Sequence, residues 1–73
     1  MKEQDKAKLA KILKGFEKAG YTITEKTCEY IAQKKQGNKT LEIYFHKSGH
    51  LDTNWDAYDS KEVNELFKTY VWN

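Results

Sequence analysis

The sequence predicts a small α+β domain in which one helix, three antiparallel strands and a second helix follow one another. Three observations support this order. Apolar residues recur at helical spacing near both ends, β-branched and aromatic residues fill the middle, and isolated glycines separate the segments. A length of 73 residues allows a single domain over 1–73. We expect both helices to pack on one face of a three-stranded sheet and to leave its other face wet.

The first helix is predicted over about residues 5–19. Its apolar face consists of Leu9, Ile12, Leu13, Phe16 and Ala19. Its opposite face carries four lysines, Lys8, Lys11, Lys14 and Lys18. Gly20 follows the last periodic position, as is typical of a residue that ends a helix with a positive φ.

Strands are predicted at about 21–35, 39–47 and 50–56. The pair Gly37-Asn38 lies between the first two runs and indicates a hairpin, and Ser48-Gly49 indicates the next turn. Alternation predicts that the second strand points Leu41, Ile43 and Phe45 into the core, beside Leu51 and Trp55. Its other face would show Glu42, Tyr44 and His46.

The second helix is predicted over about residues 60–71. Asp59 is the expected N-cap, with Glu62 three residues further on. The apolar stripe of this helix consists of Val63, Leu66, Phe67, Tyr70 and Val71.

Charge is unevenly distributed along the chain. Residues 1–50 hold eleven lysines against six acids, a net charge of +5, whereas residues 51–73 hold two lysines against five acids, a net charge of −3. All thirteen basic residues are lysine. The absence of arginine disfavours sequence-specific nucleic-acid recognition more than it disfavours simple phosphate contact.

No catalytic, metal or cofactor site is predicted. Asp52, Asn54 and Asp56 have the spacing that opens a calcium-binding EF-hand loop, but Ala57 and Val63 occupy the positions of its glycine and glutamate. The soft ligands Cys28, His46 and His50 lack the paired spacing of a zinc site. The interpretation for Cys28 is a buried packing residue in a strand. We therefore expect a protein that is not an enzyme.

A cytoplasmic location is the expectation from composition. Cys28 is the single cysteine, which fits a reducing compartment. The start of the chain shows no apolar stretch after its charges, and no apolar run is long enough for a membrane span.

The element order is similar to that of two known families. It resembles double-stranded-RNA-binding domains, whose second helix begins with a lysine cluster that grips phosphates, whereas this one begins Asp59-Ser60-Lys61-Glu62. It also resembles HicA-type toxins, whose first helix precedes a Gly-aromatic pair like Lys18-Ala19-Gly20-Tyr21. Their activity implies a histidine in the early strands, and Thr27-Cys28-Glu29-Tyr30 contains none.

The function that these features favour is a non-enzymatic protein-binding module. Three aromatics that the predicted core does not absorb, Tyr44, Tyr58 and Trp72, accompany an acidic segment in the sequence. Its acids are Asp52, Asp56, Asp59, Glu62 and Glu65. A compact, proline-free, lysine-rich chain is typical of phage and mobile-element proteins, some of which inhibit host machines such as CRISPR nucleases. The alternatives are a nucleic-acid-binding domain that uses the helix-one lysines, and a catalytically inactive HicA-like fold.

Overall fold

Seven secondary-structure elements build a four-stranded antiparallel sheet accompanied by three helices. The computed structural model describes the backbone of residues 3–72 and the side chains of residues 7–72, so residues 1, 2 and 73 of the predicted domain lie outside it. The elements are α1 (Glu3–Lys18), β1 (Thr22–Glu25), β2 (Glu29–Gln36), β3 (Lys39–His46), β4 (Leu51–Thr53), α2 (Trp55–Tyr58) and α3 (Lys61–Tyr70). The strands lie in the order β1-β2-β3-β4. The α+β class is therefore confirmed, with one strand and one short helix more than predicted.

The first predicted strand, 21–35, is in fact two strands. Lys26 N–H donates to the Glu29 carbonyl at 2.7 Å, which closes a tight turn centred on Thr27 and Cys28. The chain reverses there, and Glu25 of β1 pairs with Tyr30 of β2. The polar stretch Glu25-Lys26-Thr27 ends β1 and leads into this turn.

Cys28 is exposed in that turn, so the prediction of a buried packing cysteine is wrong. The residue contributes through its main chain, because its carbonyl accepts a hydrogen bond of 2.8 Å from Lys47 N–H. Its thiol is a surface group.

The predicted hairpin at Gly37-Asn38 is confirmed. Gln36 and Lys39 are directly paired across a two-residue turn. Gly37 has φ +64°, and no residue other than glycine has a positive φ in the part of the chain that the structure describes. A positive φ at the first central residue alone is typical of a type II′ turn, which matches the twist of the flanking strands.

The third predicted strand, 50–56, is shorter than expected and is followed by a helix. Asn54 leaves the sheet as the N-cap of α2, where its Oδ1 accepts from Ala57 N–H at 2.9 Å. The same side chain donates to the Thr40 carbonyl at 2.7 Å and so ties α2 to β3. Asp59, the predicted N-cap of the last helix, is instead the C-cap of α2. Ser60 is the N-cap of α3, and its Oγ accepts from Val63 N–H at 3.2 Å.

One hydrophobic core joins α1, α3 and one face of the sheet. Phe16 is its centre, with ring centroids 5.1 Å from Tyr21, 5.5 Å from Phe45 and 5.9 Å from Phe67. The predicted inward face of the hairpin is confirmed, because Leu41, Ile43 and Phe45 are all buried. Leu13, Leu51, Leu66 and Tyr70 are partly buried against this core. Trp55, also assigned to the core, is 80% exposed because α2 turns its side chain away from the sheet.

Among the residues described, no helix is both long enough and apolar enough to cross a membrane.

Candidate protein interface

Three large aromatic side chains are exposed at the surface. Trp55 is 80% exposed, Tyr58 64% and Trp72 61%. Tyr58 and Trp72 were predicted to be exposed, whereas Trp55 was not. Exposed tryptophan and tyrosine side chains are enriched at protein interfaces.

Trp55 and Tyr58 line an open groove of about 600 Å³, which we call the aromatic groove. Residues 51–55, Tyr58 and Phe67 line it. The Trp55 and Tyr58 rings meet edge to face, with centroids 5.8 Å apart and planes at 80°. Trp72 does not line the groove, but its ring packs against that of Phe67, with centroids 5.4 Å apart. Phe67 therefore connects the exposed aromatics to the core.

The short helix α2 is the element that places Trp55 and Tyr58 together. Its N-cap Asn54 starts the helix immediately after the edge strand β4. Residues three apart on a helix are neighbours on its surface, so Trp55 and Tyr58 share one side of α2. Ala57 is fully buried on the opposite side and anchors the helix to the sheet.

The acidic residues that belong to this region are Asp52, Asp56 and Asp59. Asp52 lines the aromatic groove and lies directly across from Tyr44 in the β3–β4 pairing. Its Oδ2 lies 3.1 Å from His46 Nε2. Asp56 lies between Trp55 and Tyr58 in α2, and Asp59 follows this helix and is exposed.

Tyr44 lies on the sheet face opposite the core. Its hydroxyl donates to a carboxylate oxygen of Glu42 at 2.7 Å. This hydrogen bond is the largest cause that raises the pKa of Tyr44, and burial is the next. Tyr44 is half-buried. Its partner across the β3–β4 pairing is Asp52, which lines the aromatic groove.

Glu62 and Glu65 have other contacts. Glu62 Oε1 accepts from Lys34 Nζ at 3.0 Å, and its Oε2 accepts from Gln36 at 3.4 Å. Both partners belong to β2, so Glu62 ties α3 to the sheet. Glu65 pairs with Lys68 within α3, with a separation of 3.9 Å. Of the five predicted acids, Asp52 lines the aromatic groove, and Asp56 and Asp59 are near it only by their positions in α2 and at its end.

The four lysines of α1 form a separate exposed surface, which we call the lysine ridge. Lys8, Lys11, Lys14 and Lys18 are all exposed. Within residues 7–72 none of them makes an ion pair. Lys8 also lines a second groove of about 320 Å³, whose floor includes Leu9, Ile12 and Val71.

A third charged group surrounds His46 on the open sheet face. Its Nδ1 lies 3.4 Å from Glu29 Oε1, so that the imidazole bridges carboxylates of β2 and β4. Among the residues described, no group of three or more histidine, cysteine or acidic side chains is arranged to hold a metal ion.

Sequence reasoning missed Trp55 because alternation extended the third strand through it. Asn54 was the available signal, since asparagine is among the preferred N-cap residues.

No protein-family model matches this chain, and the searches of curated proteins and of solved structures found no match either.

Proposed function

We propose that this protein is a non-enzymatic protein-binding module whose interface is the aromatic groove with its flanking acids. The observation that carries the proposal is the exposure of Trp55 and Tyr58 in one groove, with the exposed Trp72 packed against Phe67 of its lining. Tryptophan and tyrosine are the residues most enriched at interface hot spots, because they bury a large area at small entropic cost. Phe67 supports this surface from the core, so the groove is part of the folded domain.

The partner we propose is a protein with a basic nucleic-acid-binding surface. Asp52 lines the groove, Asp56 and Asp59 adjoin Trp55 and Tyr58 in the chain, and residues 51–73 together carry a net charge of −3. Such a surface would occupy a basic groove much as a phosphate backbone does, and charge complementarity would accelerate the encounter. A phage or mobile-element inhibitor of a cytosolic nucleic-acid-handling machine, such as a CRISPR nuclease, would act in this way.

The test compares surface variants as bait for partner capture from host lysate, followed by affinity measurement with the captured protein. Trp55→Ala combined with Tyr58→Ala should weaken binding by at least about 2 kcal/mol, as expected for a hot spot. Asp52→Lys with Asp56→Lys should mainly slow association. Glu17→Lys is the matched control, because Glu17 is an exposed acid on α1. All variants are first shown to fold by circular dichroism.

One result would contradict this proposal. If the aromatic double variant keeps full affinity while Lys11→Glu combined with Lys14→Glu loses affinity, the interface is the lysine ridge.

Nucleic-acid binding by the lysine ridge is the second candidate. The observation that favours it is four exposed lysines on one helix without ion-pair partners among residues 7–72. A lysine-rich face is also the ordinary solvent face of an amphipathic helix, so we place this function second. A catalytically inactive HicA-like fold is the third hypothesis. Its support is the first helix followed by the pair Gly20-Tyr21.

A further inference from the structure

We propose that two copies of this chain associate along β1, with the two β1 strands pairing antiparallel to form one eight-stranded sheet. The basis is that β1 lies at one edge of the sheet and has main-chain groups that point away from β2. The aromatic groove lies at the other edge, beside β4, so this inference goes beyond the proposed function and does not depend on it.

The direction of the main-chain groups follows from the turn that joins β1 to β2. Lys26 N–H donates to the Glu29 carbonyl, so the main chain at Lys26 points toward β2. Every second residue of an antiparallel strand points the same way, so the main-chain groups of Ile23 and Glu25 point outward. In the described part of the chain, the hydrogen bonds outside helices and strands involve no main-chain group of Ile23 or Glu25. These groups are therefore free to pair with another strand.

This edge lacks most of the features that prevent strand pairing. Natural edge strands carry lysine, proline or inward-pointing charge, or contain a bulge. The sequence of β1 is Thr22-Ile23-Thr24-Glu25, which pairs with β2 without a bulge and carries its one charge at its last residue. The opposite edge strand, β4, has only three residues, holds Asp52 at its centre and is followed by α2. The edge open to another strand is therefore β1.

The residues of β1 favour a second copy of this chain as the pairing strand. When Ile23 lies opposite Ile23 of the second copy, each N–H donates to the other carbonyl. The two isoleucine side chains, partly buried against their own cores, then form an apolar pair. The same register places the exposed Thr22 opposite the exposed Thr24, and threonine pairs across strands are favourable. Glu25 lies opposite Tyr21, so no like charges face each other.

This pairing would give the dimer two aromatic grooves. The strands would lie in the order β4-β3-β2-β1-β1-β2-β3-β4, because β1 and β4 are the two edges of the single chain. Trp55 and Tyr58 of each copy would then lie at opposite ends of the sheet. A dimer of this kind binds two partner sites at once, which increases the overall affinity where both sites are within reach.

The experiment is analytical ultracentrifugation of the full chain from about 20 µM to about 1 mM, because the dimer population depends on concentration. Pairing of so short a strand buries less than the roughly 1,000 Å² of a stable interface, so we expect a dissociation constant of about 0.1–1 mM. The average mass should rise from 8.6 kDa toward twice that value. In a mixture of ¹³C-labelled and unlabelled protein, NMR should detect an intermolecular contact between the α protons of Thr22 and Thr24.

Two variants prevent the pairing in different ways. Ile23→Pro removes an N–H that points outward and keeps the hydrogen bonds to β2, and proline is tolerated in edge strands. Thr24→Lys places a charge at an exposed position of β1, as natural edge strands do. Both variants should keep a mass of 8.6 kDa at the highest concentration. Glu65→Gln makes the same change in net charge as Thr24→Lys at an exposed position of α3, and it should associate like the parent chain.

A parent chain that keeps a mass of 8.6 kDa at the highest concentration would overturn the inference. So would a dimer that persists in Thr24→Lys, or one that Glu65→Gln weakens equally. A dimer without the contact between Thr22 and Thr24, but with concentration-dependent amide shifts at residues 55–58, would place self-association at the aromatic groove instead. Circular dichroism checks the fold of each variant. If Ile23→Pro does not fold, Thr24→Lys decides the question alone, since its side chain is exposed.

Discussion

At the scale of single residues, the Lys34 side chain has partners in three segments of the chain. Its Nζ donates to the Ala19 carbonyl at 2.9 Å and to Glu62 at 3.0 Å, and it lies 5.3 Å from the centroid of the Tyr21 ring. One ammonium group thus joins the end of α1, strand β2 and the first turn of α3. Such a contact requires the folded chain, since Lys34 and Glu62 are 28 residues apart.

The first prediction concerns the pH dependence of this contact. Burial alone would raise the pKa of Glu62, but the hydrogen bond and the charge of Lys34, together with the other hydrogen-bond partners of this carboxylate, outweigh it, and the pKa is lowered from 4.5. A group with a lowered pKa stabilises the folded state above its unfolded pKa, and this contribution is lost as the pH falls through the folded value. Glu62→Gln should therefore lower the free energy of unfolding at pH 7 by about 0.5–1 kcal/mol, as for a half-exposed pair. The difference should vanish near pH 3.

Urea unfolding of both proteins at the two pH values measures this difference. In a Lys34→Met background the effect of Glu62→Gln at pH 7 should shrink. An equal difference at both pH values would show that the charge of Glu62 is not what stabilises the contact.

At the scale of elements, α3 packs against α1 at Gly15. This buried glycine lies in the last turn of α1, and glycine inside a helix costs up to about 1 kcal/mol relative to alanine. A Cβ built on it would lie 2.5 Å from Cε2 of Tyr70, inside van der Waals contact. The absence of a side chain at position 15 is therefore what lets the Tyr70 ring of α3 pack onto α1.

The second prediction follows from this close approach. Gly15→Ala should destabilise the protein by about 1–3 kcal/mol, as is typical of overpacking, although alanine is the better helix former. In a Tyr70→Ala background the same substitution should instead stabilise it by about 1 kcal/mol, because only helix propensity remains. Thermal or urea unfolding of the four proteins completes the cycle. If Gly15→Ala changes the free energy of unfolding equally in both backgrounds, the Tyr70 ring moves aside without a cost in free energy.

At the scale of the whole molecule, charge is divided between two surfaces. The lysine ridge belongs to α1, whereas the carboxylates beside the aromatic groove belong to β4, α2 and the residue that follows α2. The net charge of +2 conceals this division. The two surfaces predict different behaviour toward nucleic acid and toward proteins.

The third prediction uses salt to separate these two functions. If the lysine ridge bound duplex DNA as its function, log affinity would fall by about 0.9 per phosphate contact with log salt. We expect only weak binding that disappears near about 150 mM salt, because four lysines provide few contacts. Fluorescence anisotropy with labelled duplex DNA and RNA measures it. Submicromolar binding at that salt, abolished by Lys11→Glu with Lys14→Glu, would reverse the order of the two candidate functions.

The sequence by itself determined the elements whose signals are local. The periodicity of α1 and α3, the two-residue turn at Gly37-Asn38 and the alternation of Leu41, Ile43 and Phe45 depend on residues close together in the chain. These signals place the core and identify Tyr58 and Trp72 as surface aromatics. Local backbone geometry and the burial of one face of each element are sufficient to explain them.

The tertiary structure decided the features that depend on distant partners. Whether residues 21–35 form one strand or two depends on β1 finding β2 after the turn at 27–28. Asp59 and Ser60 are both good N-caps, and Ser60 caps α3 because Asp59 already ends α2. Trp55 points outward because Asn54 bonds to Thr40, fourteen residues earlier, and starts a helix where alternation predicted strand. Asn54 is a local N-cap signal, but its contact with Thr40 across the fold has none in the neighbouring sequence, which is why the strand was extended through Trp55 and the aromatic groove was missed.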